Sequence, residues 1–129
     1  MIVDTSAVIA ILFAERDART YAQAIANAES CRMSAATLVE ASIVIDVQTN
    51  NAGSRQLDTF IRRAGIAIEP VTVEHAHIAR QAYADFGKGR HPAALNYGDC
   101  FSYALAKATG EPLLFKGADF RKTDIAAAV

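Results

Sequence analysis

The sequence predicts an α/β domain built on a mostly parallel sheet. Short apolar segments typical of strands alternate with longer segments in which apolar residues recur at helical spacing. Strands that are joined through helices lie parallel, and the helices then cover the faces of the sheet. The 129 residues contain no internal repeat and no long linker, so we expect a single domain over residues 1–129.

Four apolar segments are predicted as strands, at residues 1–3, 31–34, 66–68 and 113–115. Residues 125–129 are a candidate for a fifth. Six segments have helical patterns, and the last of them stops before Gly110 and Pro112, as helices commonly do. The predicted helices cover residues 6–15, 18–28, 36–48, 55–64, 73–86 and 99–108. The expected sheet therefore has four to five strands flanked by helices.

Composition excludes several classes of protein. Apolar residues make up 52% and charged residues 21% of the chain, which is typical of a folded domain. The net charge of -1 excludes a uniformly basic nucleic-acid coat. The longest apolar run, residues 7–14, is far shorter than the roughly 20 residues of a membrane span. The N-terminus has no signal-peptide pattern, and Cys31 and Cys100 suggest free thiols, so we expect a cytoplasmic protein.

Four acidic residues lie where such a sheet would place a ligand site. Asp4 and Asp119 each follow a predicted strand, and ligands bind outside the carboxyl ends of parallel strands. Asp99 begins a predicted helix, and Glu40 lies on an apolar one. Each acid also has an ordinary structural explanation, as a helix cap, a solvent-facing side chain, a partner of the helix dipole or a turn residue.

Taken together, the four acids suggest a metal site. Carboxylates gathered in a poorly solvated site raise one another's pKa, and a divalent cation relieves that repulsion. A set of oxygen ligands without Cys or His suits Mg²⁺ or Mn²⁺ rather than Zn²⁺. The spacing of the four acids does not by itself establish a metal site, which stays a hypothesis here.

Four segments together form a recognisable pattern: MIVDTSA (1–7), SAATLVEA (34–41), LNYGDCFSYALA (95–106) and LFKGADF (114–120). They resemble the PIN-domain ribonucleases, and most of all the VapC toxins of bacterial type II toxin–antitoxin pairs. They come in the family's order and extend over almost the whole chain, although residues 50–86 carry no motif.

The resemblance implies a PIN-like fold, a Mg²⁺ or Mn²⁺ site and an RNA substrate. It also implies neutralisation by a VapB-like antitoxin, and usually a homodimer. By position, the family's acidic cluster corresponds to Asp4, Glu40, Asp99 and Asp119, and its nearby hydroxyl positions to Thr5 or Ser6 and to Ser102.

The mechanism we expect is metal-assisted hydrolysis of RNA phosphodiester bonds. Asp4, Glu40 and Asp99 would hold or orient the metal shell, while Asp119 would complete it or orient the attacking water. Substrate contacts are expected from the hydroxyls and from two basic loops, at residues 87–92 and around Asp119. The candidates are Thr5, Ser6, Lys88, Arg90, His91, Ser102, Lys116, Arg121 and Lys122. Ordinary solvated loops explain the basic residues equally well.

Two alternatives remain open at this point. A receiver-like phospho-acceptor domain also gathers acids at strand ends, but it needs two adjacent acids near the first strand, where this chain has only Asp4. A non-catalytic binding module would use its acids as caps and turns. The variant Asp4→Asn separates it from a nuclease, because Asn caps a helix about as well as Asp. Six apolar side chains are expected mostly in the core, and some of them could form a groove for a partner helix or for a second copy of the chain. They are Val8, Ile9, Leu12, Phe13, Ile43 and Ile45.

Overall fold

The structure, a computed structural model, describes residues 1–50 and 52–129. Within them lie four strands and six α-helices, followed by a 3-10 turn over Phe120–Lys122. The strands are β1 (Ile2–Val3), β2 (Cys31–Ser34), β3 (Ile66–Glu69) and β4 (Leu113–Leu114). The helices are α1 (Thr5–Leu12), α2 (Ala18–Asn27), α3 (Ala35–Thr49), α4 (Ala52–Ala64), α5 (Val73–Phe86) and α6 (Tyr97–Thr109). The predicted α/β class is confirmed.

The strands form one parallel sheet in the order β3-β2-β1-β4. The chain moves outward from β1 to β3 and then crosses to the opposite side of β1 to form β4. Ile2 pairs with Arg32 of β2 on one side and with Leu113 of β4 on the other. The strand order therefore reverses between β1 and β4, and a ligand site is expected at the carboxyl ends of those two strands.

Helices cover both faces of the sheet. Ile2 packs into a core with α5 and α6, whereas its neighbour Val3 packs into a core with α1 to α4. Leu113 and Leu114 divide between the same two cores. All four side chains are fully buried, because successive side chains of a strand point to opposite faces and both faces are covered.

One predicted strand is absent, and one helix start differs from its prediction next to the candidate site. Residues 125–129 form a single parallel bridge, Leu113 to Ala127, and not a fifth strand. The partner strand β4 is itself only two residues long, which limits the pairing. The last helix begins at Tyr97 and not at Asp99, because Asn96 caps it two residues earlier than expected. The other helix boundaries differ from the predictions by at most three residues.

Most of the six candidates for a partner groove belong to the core or pack against it, as expected. Val8 and Ile45 are completely or almost completely buried and belong to the core, and Ile9, Leu12 and Phe13 pack against that core. Only Ile43 has a side chain that is largely exposed. Among the described residues, no helix is long and apolar enough to cross a membrane. Cys31 and Cys100 are buried free thiols, as expected.

Candidate active site at the strand crossover

Asp4 is placed by the end of β1 and is almost fully buried, with 3% of its surface exposed. It caps helix α1, since its Oδ2 accepts the backbone N–H of Ser6 at 3.0 Å and the Ser6 hydroxyl at 2.6 Å. Its Oδ1 accepts the Ser102 hydroxyl of α6 at 2.5 Å. The capping explanation is therefore correct, but it uses only one of the two carboxylate oxygens.

A second hydroxyl supports this arrangement from behind. Thr37 Oγ1 of α3 lies 3.1 Å from Ser102 Oγ, and both groups are fully buried. Because Ser102 has one proton and donates it to Asp4, Thr37 is the donor in the bond to Ser102. The chain of hydroxyls fixes the orientation of the Asp4 carboxylate from the interior of the protein.

Glu40 lies on α3 and is half-buried. Its Oε1 accepts the hydroxyl of Thr5, the residue after Asp4, at 2.6 Å. Burial raises the pKa of Glu40, the charge of Asp4 raises it further, and the bond from Thr5 opposes both effects. The sequence placed Glu40 on an apolar helix, and the structure pairs it with a hydroxyl, as the cost of burying a carboxylate requires.

Asp99 lies in the first turn of α6 as the acidic partner in a capping box. Asn96 Oδ1 accepts the N–H of Asp99, and Asp99 Oδ2 accepts the N–H of Asn96, both at 2.9 Å. The pKa of Asp99 is raised to about 7. Burial is the largest cause, and the charges of Asp4, Glu40 and Asp119 add to it, against the opposing bond from Asn96. The three other acids therefore all act electrostatically on Asp99.

Asp119 is the most exposed of the four acids. It precedes the 3-10 turn over Phe120–Lys122, and its carboxylate makes no capping bond to that turn. Its backbone carbonyl accepts the N–H of Lys122 at 3.1 Å, which agrees with an ordinary turn residue. The carboxylate belongs to the site through its charge on Asp99.

The donor chemistry of this cluster fits a hard divalent cation. All four groups are carboxylates, and their mutual repulsion, visible at Asp99, is what a cation would relieve. In residues 1–50 and 52–129, however, no three Asp, Glu, His or Cys side chains are arranged as a ready ligand set. The acids are electrostatic neighbours, and metal binding stays a prediction.

The three candidate hydroxyls contact carboxylates in this structure. Thr5 donates to Glu40, while Ser6 and Ser102 donate to Asp4. Ser6 Oγ also accepts the backbone N–H of Lys116 at 2.9 Å, which ties the segment after β4 to the end of β1. Their observed role is to orient the acids, and contact with substrate stays a prediction.

The candidate cations after β4 are exposed, and each has a partner within the chain. Lys116 pairs with Glu15 at 2.8 Å. The Arg121 guanidinium lies 5.5 Å from the centre of the Phe115 ring and donates to the Val129 carbonyl at 2.8 Å. These contacts are of the weak surface kind that a phosphate can displace. Lys122 donates to the Pro92 carbonyl at 3.3 Å.

The basic loop at residues 87–92 has a partly structural role. Arg90 lies over the Tyr83 ring at 5.6 Å, and Lys88 is exposed. His91 Nδ1 accepts the backbone N–H of Ala93 at 3.0 Å, and its ring meets Phe86 edge to face. His91 therefore organises the turn, a role that the sequence analysis did not identify.

Sequence reasoning also missed Thr37 and Asn96. The pattern of Asn96 followed three residues later by Asp99 is a capping signature that could have been recognised. Thr37 carried no signal, because its partner Ser102 is 65 positions away.

Comparison with known proteins defines the family. A PIN domain model matches residues 1–126. Ribonuclease VapC28 of Mycobacterium tuberculosis is 55% identical over 130 residues, covering 100% of this chain and 98% of that protein. Ribonuclease VapC of Mycolicibacterium smegmatis is 51% identical over 127 residues, covering 98% of each. The chain therefore belongs to the PIN domain family.

These relatives are ribonucleases, and each matches this chain over almost its full length. The chain is therefore an endoribonuclease of the VapC toxin type. This finding decides against the receiver-like alternative. Solved structures agree on the fold. Mycobacterium tuberculosis VapC20, a sarcin–ricin loop cleaving toxin, gives a TM-score of 0.79 at 16% identity over 97% of this chain and 95% of that one. A toxin–antitoxin complex from Klebsiella pneumoniae gives 0.68 at 15% identity, over 95% and 92%.

Proposed function

We propose that this endoribonuclease hydrolyses RNA phosphodiester bonds with a Mg²⁺ or Mn²⁺ ion held by its four carboxylates. The observation that carries the proposal is the electrostatic environment of Asp99. Its pKa is raised to about 7 by burial and by the charges of Asp4, Glu40 and Asp119. The charges of the three other acids act on Asp99, and a bound dication would relieve that repulsion.

The roles of the residues follow from their burial and their partners. Asp4, Glu40 and Asp99 would hold the ion, because they are wholly or partly buried and their orientations are fixed by hydrogen bonds. Asp119 is exposed and would complete the shell or orient the attacking water. When bound, a divalent cation supplies an activated water and polarises the scissile phosphate. Ser102 and Thr5 keep the carboxylates of Asp4 and Glu40 in fixed orientations.

Metal removal tests this proposal directly. RNA cleavage by the purified protein should stop in EDTA and return when Mg²⁺ or Mn²⁺ is added in excess. The variant Asp4→Asn should remain folded, since Asn keeps the cap, and should lose cleavage and divalent-ion binding together. Asp58→Asn, on the exposed surface of α4, is the matched control and should behave like the wild type. Undiminished cleavage in EDTA would refute the metal role.

Substrate binding is assigned to the basic side chains around the acids. Lys88, Arg90 and His91 precede the helix that carries Asp99, and Lys116 and Arg121 flank Asp119. Their exposure, or the weakness of their present contacts, leaves them available to phosphate oxygens. Cross-linking of a bound RNA to the residue 87–92 loop or to the segment after β4 would support this assignment, and cross-links confined to other surfaces would contradict it.

We further infer that the chain binds a VapB-like antitoxin in the cytoplasm. The relatives carry the VapC name, and a neighbour in fold was solved as a toxin–antitoxin complex. The buried free thiols Cys31 and Cys100 agree with a reducing compartment. The product of a small adjacent reading frame should co-purify with the chain and inhibit its cleavage of RNA.

A homodimer is supported by an exposed apolar stripe on α3. Val39, Ile43 and Val47 recur every fourth residue and are 58%, 58% and 77% exposed, so they lie on one outward face. Tyr97, 78% exposed, lies beside Val39 and Ile43 at one groove. Exposed apolar stripes of this kind mark interaction sites. Ile43→Glu should shift the purified chain from dimer to monomer by light scattering, whereas Gln23→Glu on α2 should not. A monomeric wild type would refute the dimer.

A further inference from the structure

Gly98 lies in the first turn of α6, between the exposed Tyr97 and the partly buried Asp99. Its backbone is not left-handed, so no turn or positive φ requires glycine here. Glycine is also a poor helix former. Glycine at position 98 is explained by what lies in the space that a side chain would occupy.

That space is filled by the Glu40 carboxylate. A Cβ built on Gly98 would overlap Glu40 Oε2 and would lie 3.0 Å from Oε1. A methyl group at position 98 therefore cannot coexist with Glu40 as it stands. The obstructing atoms are the end of a flexible side chain, so the backbone of α6 would not need to move.

Glu40 is restrained from two directions. On one side, Oε1 accepts the Thr5 hydroxyl at 2.6 Å. On the other, Oε2 rests against the bare backbone of Gly98. Because Gly98 is next to Asp99 in the chain, the missing side chain also lets the Glu40 carboxylate lie against the turn that carries Asp99.

We propose that Gly98 is a positioning residue, whose lack of a side chain lets the Glu40 carboxylate lie against the first turn of α6 beside Asp99. This inference rests on the proposed role of Glu40 in divalent-ion binding. It assigns Gly98 no contact with substrate, and it explains an unfavourable residue within a helix.

The test compares Gly98→Ala in two backgrounds, with Mn²⁺ affinity measured by calorimetry in the absence of RNA. In the otherwise wild-type chain, Gly98→Ala should displace the Glu40 carboxylate and weaken Mn²⁺ binding at least tenfold, with a matching loss of RNA cleavage. The thermal midpoint should change little, since the helix preference of Ala opposes the loss of the bond between Thr5 and Glu40. A merely structural role would instead lower the midpoint and leave the Mn²⁺ affinity of the folded protein unchanged.

The second background is Glu40→Asp, which withdraws the carboxylate by one methylene and makes room for a Cβ at position 98. There, adding Gly98→Ala should weaken Mn²⁺ binding less than threefold, so the two changes are strongly non-additive. If Gly98→Ala alone does not fold, Gly98→Ala/Glu40→Asp should still fold, and its comparison with Glu40→Asp carries the test.

The outcomes distinguish the role of Glu40 in ion binding from the positioning role of Gly98. Glu40→Gln that keeps wild-type Mn²⁺ affinity and cleavage would refute the role of Glu40, and the inference with it. Glu40→Gln that loses both, together with Gly98→Ala that stays within threefold of the wild type, would refute only the positioning role. Equal losses from Gly98→Ala in both backgrounds would also refute it.

Discussion

The Ser102 hydroxyl of α6 donates a 2.5 Å hydrogen bond to Oδ1 of Asp4 at the end of β1, across 98 positions of sequence. Both residues are buried, so no solvent replaces this bond when it is removed. The contact joins the helix that carries Asp99 to the strand that carries Asp4. The packing of the core therefore fixes the distance between two candidate metal ligands, Asp4 and Asp99.

Ser102→Ala should therefore destabilise the protein. It leaves a buried carboxylate oxygen and the Thr37 hydroxyl without their partner, a loss of about 1–3 kcal/mol in the free energy of unfolding. Urea unfolding measures this loss, and Mn²⁺ affinity should fall with it. Ser42→Ala is the control, because the Ser42 hydroxyl donates to the Leu38 carbonyl one turn back in its own helix, α3. Equal effects of the two substitutions would contradict a special role for Ser102.

The raised pKa of Asp99 predicts a pH effect on stability. Its pKa is about 7 in the folded protein against an ordinary value of 3.8. Between these values the folded state binds more protons than the unfolded state, so this group's contribution to stability is lost as the pH rises from about 4 to about 7. Asp99→Asn cannot ionise, and in EDTA its stability relative to the wild type should increase across that interval. Urea unfolding at several pH values measures the difference.

Comparing the two proteins at each pH is essential, because Glu111 and Asp124 have lowered pKa values and favour folding at higher pH. They are common to both proteins, so their effects cancel in the difference. Added Mg²⁺ should restore the stability of the wild type above pH 7 and leave the stability of Asp99→Asn unchanged. A stability difference that is independent of pH would show that Asp99 ionises normally.

The sequence was sufficient to predict the parallel sheet and the positions of the acids relative to its strands. Ile2 and Val3 are both apolar, which is what a strand covered on two faces requires, and Asp4 follows at once. The rule that ligands gather at strand ends then predicts a site beside Asp4. The strand order does reverse between β1 and β4, next to Asp4, and the site itself stays a prediction.

The supporting contacts could not be predicted in the same way. Thr5 bonds a residue 35 positions away, and Thr37 bonds one 65 positions away. A hydroxyl has no periodic signal, and its partner is decided only when the helices pack. The start of α6 was misplaced because Tyr97 and Gly98 add nothing to the apolar face, although Asn96 was available as the cap.

Thr5→Val should raise the pKa of Glu40. Valine keeps the shape of the buried threonine but removes the hydroxyl that bonds Glu40 and opposes the effect of burial. A ¹³C NMR titration of the Glu40 carboxyl in EDTA measures the pKa, with Glu40→Gln identifying the resonance. Thr20→Val, on the exposed surface of α2, should leave it unchanged. A lower pKa in Thr5→Val would mean that the hydroxyl does not stabilise the ionised form.

The basic loop before α6 should contribute electrostatically to RNA binding. Lys88 and Arg90 are exposed, and the Arg90 guanidinium lies over the Tyr83 ring. Replacing both by Ala in the inactive Asp4→Asn background should weaken binding of single-stranded RNA and flatten its salt dependence, by a slope of roughly 0.7 per lost phosphate contact. Fluorescence anisotropy at several salt concentrations measures the slope. Arg62→Ala, exposed on α4, should preserve it, and an unchanged slope in the double variant would assign the loop a purely structural role.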